Sequence, residues 1–137
     1  MMVSTKGRYA LRIMLDLAQQ EPETYISLTS VSGRQGVSVK YMEAIVAILN
    51  RAGFVESQRG KDGGYRLRCK PAEYTIGSIL KLTEGSLAPV SCLECDQNGC
   101  DRADGCLTLP MWQHLDEIID GYLEKITLQD LLEGKNL

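Results

Sequence analysis

The chain has 137 residues, 24% charged and 44% hydrophobic, which is enough for one domain with its own core and too few for two. No run of 18 or more apolar residues occurs and the opening MMVSTKGRYA lacks the apolar core of a secretory signal, so the expectation is a cytoplasmic protein without a membrane partner. The net charge of -3 hides a split: 11 Lys/Arg stand against 6 Asp/Glu up to residue 70 and 4 against 12 beyond it, so the first half suits a polyanion and the second avoids one.

Residues 5–20 place Tyr9, Ala10, Ile13, Met14 and Leu17 at helical spacing and predict an amphipathic helix capped by Ser4 or Thr5 and closed by Pro22. A short helix opens at Ser27 and runs to about Arg34, where Gln35-Gly36 supplies the left-handed residue of a tight turn. Ser38 caps the next helix, 39–52, with Met42, Ile45, Val46 and Leu49 on its buried face and Lys40, Glu43, Ala44 and Ala47 on the other. Two helices joined across a glycine turn, the second with small residues amid its polar face, predict a helix-turn-helix that lowers its second helix into a major groove.

Gly53 ends that helix, and residues 54–59 and 65–70 read as two strands around the turn GKDGG. Tyr65, Leu67 and Cys69 form the core face of the second strand, and Arg66, Arg68 and Lys70 the cationic one. A hairpin tipped by Arg59, Gly60 and Lys61 directly after a recognition helix is a wing that can set a guanidinium into a minor groove. The candidate contacts to a double-stranded DNA operator are Ser38, Lys40, Tyr41, Glu43, Arg59, Gly60, Arg66 and Arg68. Phosphates repel a glutamate, but it accepts a hydrogen bond from cytosine N4, so Glu43 is expected to discriminate between bases rather than to add affinity.

After Pro71, Thr75 caps a short helix carrying Ile76, Ile79 and Leu80 that ends at Gly85. The loop from about Ser86 to Leu107 holds Cys92, Cys95, Cys100 and Cys106, a clustering that points to a metal or to redox chemistry; a closed zinc site is compatible with it. Residues 108–126, opened by Thr108 with Pro110 in the first turn, predict a long helix. Its stripe of Met111, Trp112, Leu115, Ile118, Ile119, Tyr122, Leu123 and Ile126 is wider than one core contact requires, so part of it is assigned to a second copy in a twofold homodimer. Thr127 caps a final LQDLLE helix. The fold class expected is mainly α with a small β-hairpin wing (α+β): a winged helix-turn-helix over 1–84, a cysteine-rich loop over 85–107, and a dimerisation helix with a short C-terminal helix over 108–137. An enzyme is not expected, because the chain has no Gly-rich phosphate loop, no Ser/His/Asp set and a single histidine. A small iron-sulfur electron carrier accounts for the cysteines but leaves the wing and the basic half without a purpose.

In order along the chain, STKGRYALRIMLDLA, RQGVSVKYMEAIVAILNRAGFV, RGKDGGYRL and CDRADGCLTLPMW resemble the IscR-type winged-helix regulators, bacterial repressors or activators that carry an iron-sulfur cluster. The resemblance covers nearly the whole chain. It implies a homodimer whose long helix crosses to the partner, a [2Fe-2S] cofactor with [4Fe-4S] or zinc as alternatives, the iron-sulfur assembly machinery as cluster source, and control of cluster-assembly genes. It places the family's recognition-helix acid on Glu43, its wing arginine on Arg59 and its last two cysteine ligands on Cys100 and Cys106. The family's commonest first-cysteine position is Glu94 here, so Cys92 or Cys95 serves, and the family's histidine position is Leu109. Four thiolates, or three with His114 or a carboxylate, are the open ligand sets. A direct thiol or nitric-oxide sensor on the same fold is the alternative function.

Overall fold

The computed structural model describes residues 3–94 and 102–137. Five of its six α-helices start on a hydroxyl that accepts from a backbone N–H three residues on, which satisfies one of the unpaired donors of the first turn. Ser4 does this for α1 (Thr5–Ala18), Ser27 for α2 (Leu28–Gln35) and Ser38 for α3 (Val39–Arg51). Thr75 does it for α4 (Ile76–Glu84) and Thr127 for α6 (Leu128–Glu133). The exception is α5 (Leu109–Lys125), where Pro110 lies in the first turn and the hydroxyl of Thr108 makes no cap. Between α2 and α3, Gly36 closes the turn with φ of 67°, a backbone geometry that a side chain would disfavour.

Ile13 and Met14 of α1, Val31 of α2, Met42, Ile45, Val46 and Leu49 of α3, Ile79 of α4 and Leu128 of α6 are all 2% exposed or less and make one core. The chain therefore folds mainly as helices around a single apolar centre, with one small sheet at its side.

That sheet pairs β1 (Val55–Gln58) with β2 (Gly64–Leu67), Val55 opposite Leu67 and Gln58 opposite Gly64. Both strands are shorter than the alternation suggested. The Tyr74 hydroxyl accepts from the N–H of Arg68 (3.1 Å) and of Cys69 (2.9 Å) and donates to the Phe54 carbonyl (2.7 Å), so these backbone groups are shared with a side chain and only a long Arg68 N–H to Phe54 carbonyl bond (3.4 Å) extends the pairing past Leu67. The strand thus ends before Cys69, and this thiol is exposed rather than part of the core as expected. A third segment joins the wing: Ile26 and Tyr65 exchange both backbone hydrogen bonds at 2.8 Å. Only glycine fits at position 64, because a Cβ there would fall on the Ile26 carbonyl.

The end of the chain returns to the core. The Ile76 N–H donates to the Ile126 carbonyl (2.8 Å), Leu128 donates to Tyr74 (3.1 Å), and Ile126 and Leu128 are buried. By contrast, α5 has no buried residue. Ile119 and Leu123 pack on the core, and Glu124 accepts from Lys81 (2.9 Å) and from the Thr75 hydroxyl (3.0 Å), while Lys81 also pairs with Asp120. Among the described residues no helix is long and apolar enough to cross a membrane.

Candidate functional site: a nucleic-acid face and a cysteine loop

The outer face of α3 carries Lys40, Tyr41, Glu43, Ala44 and Ala47, all exposed, opposite four buried side chains that fix its rotation about the helix axis. Lys40 and Glu43 make no hydrogen bond or ion pair among the described residues. Their charges are therefore available to an incoming duplex. Ser38 is exposed, and its hydroxyl is used as the helix cap, accepting from Tyr41 N–H at 3.2 Å. The two central alanines leave room for a base-pair edge.

The three wing arginines differ in their surroundings. Arg59 is exposed beside Gly60 (φ 110°) at the tip and has no partner among the described residues. Arg66 is locked in place: Nε lies 3.0 Å from Glu56 Oε2, Nη1 donates to the Glu23 carbonyl at 2.9 Å, and the guanidinium lies 4.4 Å from the Tyr25 ring centroid. The Glu56 hydrogen bond raises its pKa further, so the charge stays but is already matched. Arg68 reaches over Gly53, at the C-terminal end of α3. That is about 20 Å along the helix from Ser38, at 1.5 Å per residue. Of the expected contacts, then, Ser38, Lys40, Tyr41, Glu43, Arg59 and Gly60 stand exposed at α3 and the wing tip; Arg66 is half-exposed and already paired with Glu56, Glu23 and Tyr25, and Arg68, exposed, sits at the far end of α3.

Residues that sequence pattern did not single out set the pose of this face. Asp16, 2% exposed, accepts from Arg34 through both oxygens (2.7 to 3.2 Å) and from Gln35 Nε2 (2.9 Å), tying α1 to the last turn of α2. An acidic residue on the buried edge of an amphipathic helix whose other charged residues are all basic was the available signal. Glu84, at the end of α4, accepts from the N–H (3.0 Å) and the hydroxyl (2.6 Å) of Ser4 and so joins the root of the cysteine loop to the start of α1.

Cys92 lies in the 3₁₀ turn Ser91–Leu93 and Cys106 follows the 3₁₀ turn Ala103–Gly105; both are half-buried. Cys95 and Cys100 lie outside the described residues. Among the described residues no three His, Cys, Asp or Glu side chains converge on one metal position. Cys106 Sγ is 3.3 Å from the Thr108 hydroxyl, which lowers its pKa, as do the N–H groups of Thr108 and Leu109 at the start of α5. Its thiolate is stabilised relative to that of a free cysteine, and thiolate is the state a soft metal or an electrophile requires, so the chemistry of Cys106 fits a thiophilic cofactor. His114 lies on the solvent side of α5, 3.8 Å from Glu117.

Past Cys106, Leu107 (96% exposed) precedes α5, and the side chains of Met111 (54%), Leu115 (37%), Ile118 (54%) and Tyr122 (45%) then run down one side of the helix at steps of four, three and four residues. They lie beside the Ile119 and Leu123 stripe that meets the core, so the broad apolar surface read from the sequence resolves into two adjacent faces.

Comparison with known proteins agrees with this geometry. Residues 3–134 match the model of the Rrf2 family, described as iron-dependent transcriptional regulators. The chain is 36% identical over 137 residues to the HTH-type transcriptional regulator IscR of Serratia proteamaculans, covering 100% of this chain and 82% of that protein. Among solved structures it is similar to CymR (YrzC), the global cysteine regulator of B. subtilis, with TM-score 0.79 and 33% identity over 99% of both chains. It is also similar to T. potens IscR, with TM-score 0.75 and 35% identity over 98% of this chain and 88% of that one. The helix-turn-helix with its hairpin and the full-length likeness to proteins named as transcriptional regulators lead to one conclusion: the chain belongs to the Rrf2 family of transcriptional regulators.

Proposed function

We propose that this regulator is a homodimer that reads a specific operator through α3 and the wing tip, that an iron-sulfur cluster on the loop 85–107 sets its operator affinity, and that the genes it controls include those of cluster assembly. The observation that carries the reading is the join at Cys106. The thiol whose ionised form is stabilised stands at the start of α5, whose exposed apolar seam runs on from it, so cofactor loop and dimer helix are mechanically continuous.

Cys92, Cys95, Cys100 and Cys106 are the proposed ligands, with [2Fe-2S] as the cluster. When bound, such a group supplies an iron-thiolate centre that oxidants or iron shortage dismantle. The chain's own residues do the rest. Cys92, Cys95, Cys100 and Cys106 would hold the group between Glu84, hydrogen-bonded to α1, and Thr108, at the head of α5; the seam of α5 holds two copies together; and the two α3 helices meet successive half-sites of the duplex. Lys40, Tyr41 and Arg59 supply contacts to the backbone and groove, and Glu43 penalises bases that offer it no donor.

A thiol-sensing reading has one observation in its favour: the lowered Cys106 pKa also suits a reactive cysteine. One experiment separates the two. The protein is reconstituted with iron and sulfide without oxygen, and bound duplexes are selected from a random pool with this form and with a Cys100→Ala, Cys106→Ala variant. The cluster reading expects stoichiometric iron, visible charge-transfer absorption and different operator preferences for the two forms. A colourless protein with unaltered DNA selection refutes it, and if Cys106 alkylation then changes binding, the thiol reading stands.

A further inference from the structure

We infer that Tyr9 of α1 is a positioning residue for DNA reading: it holds the ring of Tyr41, on the first turn of the recognition helix, in a fixed pose before the duplex arrives. The inference rests on the proposal that the exposed face of α3 enters the groove.

Tyr41 is 37% exposed on a helix face meant for a ligand, and a side chain so placed ordinarily loses rotamer freedom on binding, at the expense of affinity. Here that freedom is already restricted. The Tyr9 and Tyr41 rings stand edge to face, with centroids 5.6 Å apart and planes at 82°, the arrangement in which a positive ring edge meets a negative ring face. Tyr9 is itself held by a second partner, because the Arg12 guanidinium lies over its ring, 5.0 Å from the centroid. Arg12 Nε donates to Gln35 Oε1 at 3.0 Å, and Nη2 donates to the Gln35 carbonyl. Gln35 Nε2 donates to Asp16, whose buried carboxylate is gripped by Arg34.

The Tyr41 ring is thus the end of a continuous chain that begins at the ion pair of buried Asp16 with half-exposed Arg34 and passes through α2 and α1, the two helices that precede α3. The Tyr9 hydroxyl has no hydrogen bond among the described residues, so the ring and not the hydroxyl does the holding. A leucine could fill the space Tyr9 takes at the edge of the core, but it presents no π face to Arg12 or Tyr41.

The test is a double-mutant cycle on binding to the duplex that the wild-type chain selects, at fixed salt and at protein concentrations that keep oligomeric state constant. Tyr9→Leu is expected to weaken binding about three- to tenfold, the range an aromatic pair is worth, and Tyr9→Phe to stay within about twofold of wild type. Tyr41→Leu weakens binding at least as much, and adding Tyr9→Leu to it costs nothing further. Independent, additive losses overturn the inference, as does a Tyr9→Phe effect as large as that of Tyr9→Leu. If Tyr9→Leu does not fold, Arg12→Met releases the same ring and is read through the same cycle against Tyr41→Leu. A wild-type chain that selects no duplex refutes the proposed function and the inference together, whereas selection with additive losses refutes the inference alone.

Discussion

Replacing Ile118 by alanine tests the exposed seam of α5 most directly. Full burial of an isoleucine side chain is worth about 1.5–3 kcal/mol, and Ile118 is 54% exposed in the single chain, so covering the remainder is worth about 1 kcal/mol. A twofold dimer buries it twice, so Ile118→Ala should cost about 2 kcal/mol and raise the dimer dissociation constant about 30-fold. Alanine is the better helix former, so α5 itself gains from the change and a folding defect cannot mimic the result. Ile118→Glu should go further, since two carboxylates must be desolvated near the symmetry axis, and should be monomeric at micromolar concentration. Sedimentation equilibrium of the wild type, both variants and a Glu117→Ala control on the polar side measures this. A wild-type monomer, or an Ile118→Glu variant that dimerises as tightly as the wild type, refutes the assignment of this face to a second copy.

Other substitutions bear on the reading face and the loop. Asp16→Ala removes a nearly buried carboxylate that accepts from Arg34 and Gln35 and should lower unfolding free energy by about 1.5–3 kcal/mol, the range for hydrogen bonds to a charged group, because the guanidinium left behind is 42% exposed and is not a stranded buried charge. Urea denaturation at fixed protein concentration reads it, and a loss below about 1 kcal/mol contradicts the anchoring role. Gly64→Ala forces a Cβ onto the Ile26 carbonyl and should cost about 1–3 kcal/mol, with faster amide exchange at Tyr65; unchanged exchange there means that the third wing segment is not tightly paired. In metal-free protein the lowered Cys106 pKa means that thiolate persists to lower pH than in a free thiol. Alkylation of the Cys106 peptide should therefore reach half its maximal rate below the ordinary cysteine midpoint, Thr108→Val should move that midpoint up, and a midpoint at or above the ordinary value speaks against the helix-start environment. Glu43→Ala should broaden the set of duplexes selected from a random pool, and an unaltered preference removes its role in discrimination.

Much of the fold was legible because it is written in local chemistry. The hydroxyls of Ser4, Ser27, Ser38, Thr75 and Thr127 accept at helix starts as the sequence suggested, and the i, i+3, i+4, i+7 pattern of Met42, Ile45, Val46 and Leu49 gives the buried face of α3. What could not be read depends on groups distant in sequence. The strand length and the exposure of Cys69 follow from the hydroxyl of Tyr74, and the pairing of Ile26 with Tyr65 spans the whole helix-turn-helix. Alternation along β2 marks Arg66 as outward but says nothing of Glu56 and Tyr25, which occupy it. At the candidate site, the pattern identified the exposed residues of α3 but not Tyr9, Arg12, Asp16 and Gln35, since contacts between helices leave no period in a sequence. Thr108 was expected to cap α5, and its hydroxyl instead turns toward Cys106.

The attachment of α5 has a mechanical consequence. Among the described residues, the side chains by which it packs on its own core lie in its C-terminal half, where Ile119 and Leu123 seat on the core and Lys81 takes hold of Asp120 and Glu124. From Ile119 back to its start at Leu109 the helix reaches about 15 Å, at 1.5 Å per residue, as a lever held at one end and loaded at the other. A force applied at the cysteine end acts with the full arm, so a small tilt at the fulcrum becomes a swing of several ångströms at the tip.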